Sequence, residues 1–280
     1  MLKKFFDKLT FKPDPVRMYS AGISDVGQRR KLNEDNYLID EKLGLFIVAD
    51  GMGGHEAGEV ASKLAIETIF NCIKKLLSEA QSVSPPPSLQ NQATDKSPPS
   101  DNICSVLQDA IEEANNQTHC YNIAQGILEG KGMGTTVTGF WIASKEGSKK
   151  KQIYMFNVGD SRTYRFSQGK LQQLSTDHSH YQLWVETGKE GPPPRHNVIY
   201  KAIGPWRKIV AEQQTFPIHP DELFLLCSDG LCDMLSDKEI RDILYHNRKK
   251  SLKETAKTLI AAANDAGGKD NITVVLVKPE

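Results

Sequence analysis

No stretch of this 280-residue chain stays apolar for the roughly 18 residues that a membrane-spanning helix needs. The N-terminus has no uninterrupted apolar run of the kind a secretory signal carries, so a transmembrane segment and export are both disfavoured. Cysteine is sparse. The five present, Cys72, Cys104, Cys120, Cys227 and Cys232, are odd in number and scattered, which argues against a disulfide framework and for a reducing cytoplasm. None is spaced with histidine as a zinc site would require. Neither Cys72 nor Cys120 lies in a glycine-rich loop that could cradle phosphate and activate a thiol. Net charge is also missing, with 35 Lys+Arg against 35 Asp+Glu, so no global field draws nucleic acid or an anionic membrane. There is no internal repeat.

What the chain does have is acidic residues beside glycine or at the ends of apolar runs. The motifs read Asn33-Glu34-Asp35-Asn36, Asp50-Gly51-Met52-Gly53-Gly54, Gly159-Asp160-Ser161-Arg162, Ser228-Asp229-Gly230 and Asp270-Asn271. Carboxylates on flexible backbone suit hard cations that prefer oxygen ligands, Mg²⁺ or Mn²⁺. Two such ions close together can activate water and neutralise a phosphoryl group, which makes phosphate-ester hydrolysis the first expectation. Arg30, four residues before Glu34, offers a planar fork for two phosphate oxygens.

Periodicity supplies the scaffold. Strands are expected from Met18 to Ile23, at 37–39 and at 45–49, the last apolar on both faces and hence central in its sheet. Ala57, Val60, Ala61, Leu64 and Ile69 begin a long amphipathic helix, and Ile103, Leu107 and Ile111 mark a second. Further strands are expected at 135–142, 153–158, 163–166, 209–215, 223–227 and 272–277, with helices around 238–245 and 252–264. Residues 82–102, rich in proline and serine, read as a flexible insertion between helices. At 1–17 an N-terminal extension precedes a single catalytic domain of residues 18–280. Leu2, Phe5, Phe6 and Leu9 among Lys3, Lys4, Lys8 and Lys12 either pack onto that domain or make a short amphipathic helix, residues 1–12, that touches a membrane surface or a partner.

In these motifs, from about Tyr19 to Val277, the chain resembles the metal-dependent protein phosphatases of the 2C type in their bacterial form. The run from Asp50 to His55, with Gly58, Ala61 and Ser62 after it, and Gly132-Met133-Gly134-Thr135-Thr136 leading to Val158-Gly159-Asp160-Ser161-Arg162, carry the resemblance. It implies an α/β fold, a four-layer α-β-β-α sandwich of two antiparallel sheets flanked by helices. It implies that Asp50 bridges two Mn²⁺ or Mg²⁺ ions, that the Gly51 carbonyl ligates one, and that Glu34, Asp229 and Asp270 ligate the second. Asp35 then orients the site from behind, and Asp160 with Asp229 holds a third, weaker ion. Arg30 and Asp50 are the implied catalytic residues, with Arg30 also binding the substrate phosphate; Arg162 is structural.

The implied reaction is hydrolysis of phosphoserine and phosphothreonine in proteins, by in-line attack of a metal-bridging water or hydroxide. The partners are phosphorylated substrates of a serine/threonine kinase, with no nucleic acid, and the enzyme is a cytoplasmic monomer. Met52 stands where animal relatives carry a histidine, which leaves the proton donor to a bound water, with His55 and His178 as the other histidines near the motifs. Residues 178–204 correspond to a variable flap beside the site. Two other readings stay open: a catalytically weak phosphoprotein-binding regulator, and a metal-dependent phosphoesterase acting on small molecules or nucleotides.

Overall fold

The computed structural model describes residues 17–53, 57–82, 100–144, 150–195 and 197–280. The segment 1–12, His55, His196 and nearly all of the 82–102 insertion therefore lie outside the described residues.

Among the described residues the chain forms eleven strands and six helices. In order they are β1 (Met18–Asp25), β2 (Asp35–Asp40), β3 (Leu45–Met52), α1 (Ala57–Ser82), α2 (Ser100–Ala124), β4 (Gly134–Thr135), β5 (Val137–Ser144), β6 (Lys151–Val158), β7 (Arg162–Ser167), β8 (Lys170–Gln173), α3 (His180–Glu186), β9 (Glu212–Pro217), β10 (Leu223–Cys227), α4 (Asp229–Cys232), α5 (Asp237–His246), α6 (Leu252–Asp265) and β11 (Ile272–Pro279). Two sheets result, ordered β1-β11-β10-β7-β8 and β2-β3-β5-β6-β9, with β4 paired to the end of β3. Every pairing is antiparallel.

Three apolar layers account for four layers of structure. Leu45, Ile47, Tyr154 and Phe156 on one sheet meet Ile69, Ile73, Leu107 and Ile111 of α1 and α2. Leu225, Val274 and Leu276 on the other meet Ile240, Leu244, Leu259 and Ala263 of α5 and α6. Between the sheets lie Phe46, Phe140, Phe224, Met155 and Val275. Residues 45–49 are fully buried and β3 runs between β2 and β5, as their apolar faces require. The Phe140 ring packs tilted on Phe46 with centroids 5.3 Å apart and edge-on to Phe224 at 5.4 Å, joining the sheets. Phe140→Ala is expected to cost about 3–5 kcal/mol in urea unfolding, since the rigid sheets cannot close over the cavity.

Some expected boundaries move. The strand expected over 209–215 begins at Glu212, because Ile209 and Ala211 are buried against the helix layer rather than paired in the sheet. Helix α2 reaches Ala124, well past its last apolar marker, because its C-terminal half is anchored by polar side chains. Asn115 Nδ2 donates to Trp206 O at 2.9 Å, and Asn122 Nδ2 donates to Met133 O at 2.8 Å.

Antiparallel pairing also brings the acidic motifs to one rim. Asp35 opens β2 in register with Asp50 near the end of β3. Val137 opposes Val158 at the β5 and β6 ends, and Cys227 at the end of β10 opposes Val274 near the start of β11. The segment linking β1 to β2 crosses this rim from one sheet to the other.

Candidate metal centre

Asp50 is held through its backbone. Its N–H donates to Thr136 Oγ1 at 3.0 Å, and its carbonyl accepts from Thr135 Oγ1 at 2.8 Å and Thr136 N–H at 2.9 Å. The carboxylate is thereby left to the rim. Gly51 follows where no side chain fits, since a Cβ there would run into the carbonyls of Gly58 and Glu34. Glu34 closes the same corner. Its Oε1 accepts from Gly58 N–H at 3.2 Å near the start of α1, its N–H donates to Asn271 Oδ1 at 2.9 Å, and its carbonyl accepts from Ser62 Oγ at 2.6 Å.

Asp35 lies behind Asp50 and is buried. Ser228 Oγ and Thr273 Oγ1 both donate to its Oδ2 at 2.7 Å. Asp229 is the first residue of α4, and Ser228, not Asp229, is the helix N-cap. Asp270 Oδ1 accepts from Asn271 N–H at 2.8 Å, while its Oδ2 takes Arg30 Nη2 at 2.7 Å. Arg30 Nη1 stands 4.0 Å from Glu34 Oε2, and its side chain is 48% exposed, so one guanidinium spans two acidic motifs while facing solvent.

The acidic groups feel one another. Burial first, then the charges of Asp35, Asp229, Asp160 and Asp270, push the Asp50 carboxyl well above the usual range. Asp229 is raised likewise, by burial and then by Asp160, Asp233, Asp270 and Asp35. Burial raises Asp35 to about 6 against the pull of its two hydroxyl donors, and burial with Asp177 raises Asp160 to about 7. Such crowding of buried carboxylates marks a site suited to added positive charge.

Two oxygens support that reading directly, because Asp35 Oδ1 and Asp229 Oδ1 are buried with no hydrogen bond. The donor set is oxygen throughout, as a hard cation requires. Among the described residues no three acidic, histidine or cysteine side chains converge closely enough to hold a metal ion among themselves.

The sequence-predicted residues Arg30, Glu34, Asp35, Asp50, Gly51, Asp160, Asp229 and Asp270 all gather at this rim. Asn271 has a larger part than its motif revealed. Besides accepting from Glu34, its Nδ2 donates to Val26 O at 3.0 Å and Leu32 O at 2.9 Å, pinning the loop that carries Arg30. Asp233, four residues past Asp229 on the exposed side, adds acidic charge that no glycine motif flagged. His178 turns its Nδ1 to the Gly159 N–H at 3.0 Å, and Arg162 forks onto Asp177 at 2.9 and 2.6 Å.

A family model described as protein phosphatase 2C matches residues 27–276. The serine/threonine phosphatase Stp of Listeria welshimeri is 36% identical over 269 residues, covering 93% of this chain and 96% of its own. Protein phosphatase PhpP of Streptococcus pneumoniae is 30% identical over 263 residues, covering 91% and 95%. Among solved structures, the Mycobacterium tuberculosis serine/threonine phosphatase PstP/Ppp superposes with a TM-score of 0.74 at 29% identity, covering 94% of this chain and 99% of that one. A PstP catalytic domain solved in complex with two manganese ions has a TM-score of 0.72 at 30% identity, with 93% and 97% covered. With the acidic rim in place between two antiparallel sheets, and a family match that spans nearly its whole length, the chain belongs to the protein phosphatase 2C family.

Proposed function

We propose that this chain is a metal-dependent protein phosphatase that hydrolyses phosphoserine and phosphothreonine in proteins. The observation that carries it is the rim itself: mutually raised carboxylates, two buried oxygens without donors, and a half-exposed arginine at the mouth. Glu34, Asp50, the Gly51 carbonyl, Asp229 and Asp270 would hold two Mn²⁺ or Mg²⁺ ions, and Asp160 with Asp229 a third. Bound there, the ions supply an activated water for attack on phosphorus and neutralise phosphoryl charge.

The chain's own groups do the rest. Arg30 receives the phosphate, and the Asp270 hydrogen bond, which raises the guanidinium pKa, fixes one end of its fork. Asp35 holds Ser228 and Thr273 and so fixes the strand ends that present Asp229 and Asp270. His178 is no proton donor to the site, because burial and then Lys201 lower its pKa to about 4 and its Nδ1 is engaged by Gly159. Protonation of the departing oxygen falls to water.

Arg30→Lys keeps the charge and loses the fork, so kcat/KM on a phosphothreonine peptide is expected to fall by about 10- to 100-fold, the worth of one charged hydrogen bond. An unchanged kcat/KM would remove Arg30 from phosphate binding. The substrate class is tested by comparing a phosphothreonine peptide with ATP and a phosphorylated sugar under Mn²⁺. Preference for the peptide is expected; preference for a small phosphate would favour the phosphoesterase reading, and binding without turnover the regulator reading.

Substrates of a serine/threonine kinase in the cytoplasm, met by a monomer whose catalytic unit is residues 18–280, complete the proposal. Among the described residues no helix is long and apolar enough to cross a membrane.

A further inference from the structure

Near its two ends the segment 178–204 is pinned to itself. Ser179 bridges Ile199, His180 N–H donates to Val198 O at 2.9 Å, and Tyr200 N–H donates to His178 O at 3.0 Å. His178 sits at this junction with its ring turned inward and buried. Nδ1 accepts from Gly159 N–H at 3.0 Å, and the backbone N–H of His178 donates back to Gly159 O at 2.9 Å. On the other side Nε2 lies 3.5 Å from Lys201 Nζ, which also donates to Val210 O at 3.1 Å. Tyr200 packs its ring 5.9 Å from the imidazole.

Gly159 directly precedes Asp160 and has φ +106, with the Thr136 side chain where a Cβ would stand. Its direction is therefore set by its hydrogen bonds rather than by a side chain. Besides Asn157 Nδ2, which donates to Gly159 O at 3.2 Å, two longer-range tethers hold the turn. Thr136 Oγ1 lies 2.7 Å from Ser161 Oγ and accepts from Asp50 N–H, tying the turn to the Asp50 strand. His178 ties it to the flap, and its neutral ring leaves the Nδ1 lone pair free to accept.

We infer that His178 is a positioning residue that fixes where the Asp160 carboxylate stands, joining that corner of the centre to the base of the flap. The inference rests on the reading that Asp160 serves the site. A residue that merely fills space would tolerate any side chain of similar bulk, whereas this role needs an acceptor at the Nδ1 position.

Asparagine places an oxygen there and glutamine places one further out, so His178→Asn and His178→Gln separate the two cases. In the full chain, hydrogen exchange at the Gly159 amide and phosphate release across Mn²⁺ concentrations are measured for each. Expected is a protected amide and near-native turnover for His178→Asn. For His178→Gln, the amide exchanges freely, more Mn²⁺ is needed, and kcat falls by about 10- to 100-fold at unchanged KM. Equal behaviour of the two variants would overturn the role, as would a Gly159 amide that stays protected in His178→Gln. A freed amide with full turnover would overturn the link between this turn and catalysis. If the native chain shows no metal-dependent turnover, the phosphatase reading fails instead, and the exchange comparison still judges the contact.

Discussion

Asp50→Asn is expected to fold normally and to release phosphate at least about 10²–10³-fold more slowly than the native chain, the scale for removing one preorganised electrostatic group. The side chain is nearly isosteric, and the bonds that hold residue 50 are made by its backbone N–H and carbonyl. What changes is charge. After burial, Asp35, Asp229, Asp160 and Asp270 all raise the pKa of Asp50. Removing it leaves the remaining carboxylates less crowded, so the variant without metal is expected to melt no lower than the native chain. A large activity loss with no loss of Tm would assign Asp50 to function. An equal loss of both would make it a structural residue.

The second large effect is on stability without metal. Asp35, raised to about 6, and Asp160, raised to about 7, hold protons more tightly folded than unfolded. A carboxyl whose folded pKa is raised stabilises the fold below its unfolded pKa of about 4, and that stability is lost as pH climbs through the folded value. In EDTA, Tm is therefore expected to fall from about pH 4 to pH 7.5, with the Asp35 rise alone corresponding to about 3 kcal/mol across that whole range. Mn²⁺ should reverse this, more strongly at pH 7.5 than at pH 5, because the ion must displace those protons. At a hundredfold excess over Kd, one bound ion would raise Tm by about 5–10 °C. A Tm in EDTA that is flat or rising across this window would show that the carboxylates are not crowded as described.

Much of the rim was legible because its chemistry is local. A strand that is apolar on both faces and stops at Asp50-Gly51 announces both its burial and its exit point, and the same holds for β10 and Asp229. The four layers were what the family resemblance implied, and the apolar runs and amphipathic helices agreed with it. What stayed hidden depends on partners far along the chain. Asn271 looked like a strand start, yet its three bonds reach back to residues 26, 32 and 34. His178 looked like a histidine near the chemistry, and only the fold shows its ring spent on Gly159. The seven-residue helix α3, capped by Ser179 Oγ accepting from Gln182 N–H, has too little apolar periodicity to read from spacing.

The central claim is that these carboxylates gather metal for phosphoprotein hydrolysis. It is tested most directly by stripping the chain with EDTA and following phosphate release from a phosphothreonine peptide as Mn²⁺ is titrated back. The account predicts no turnover before addition and a rise with Mn²⁺ that excess EDTA abolishes. Turnover that persists in EDTA, or a folded, Mn²⁺-loaded chain that leaves the peptide intact, would contradict it.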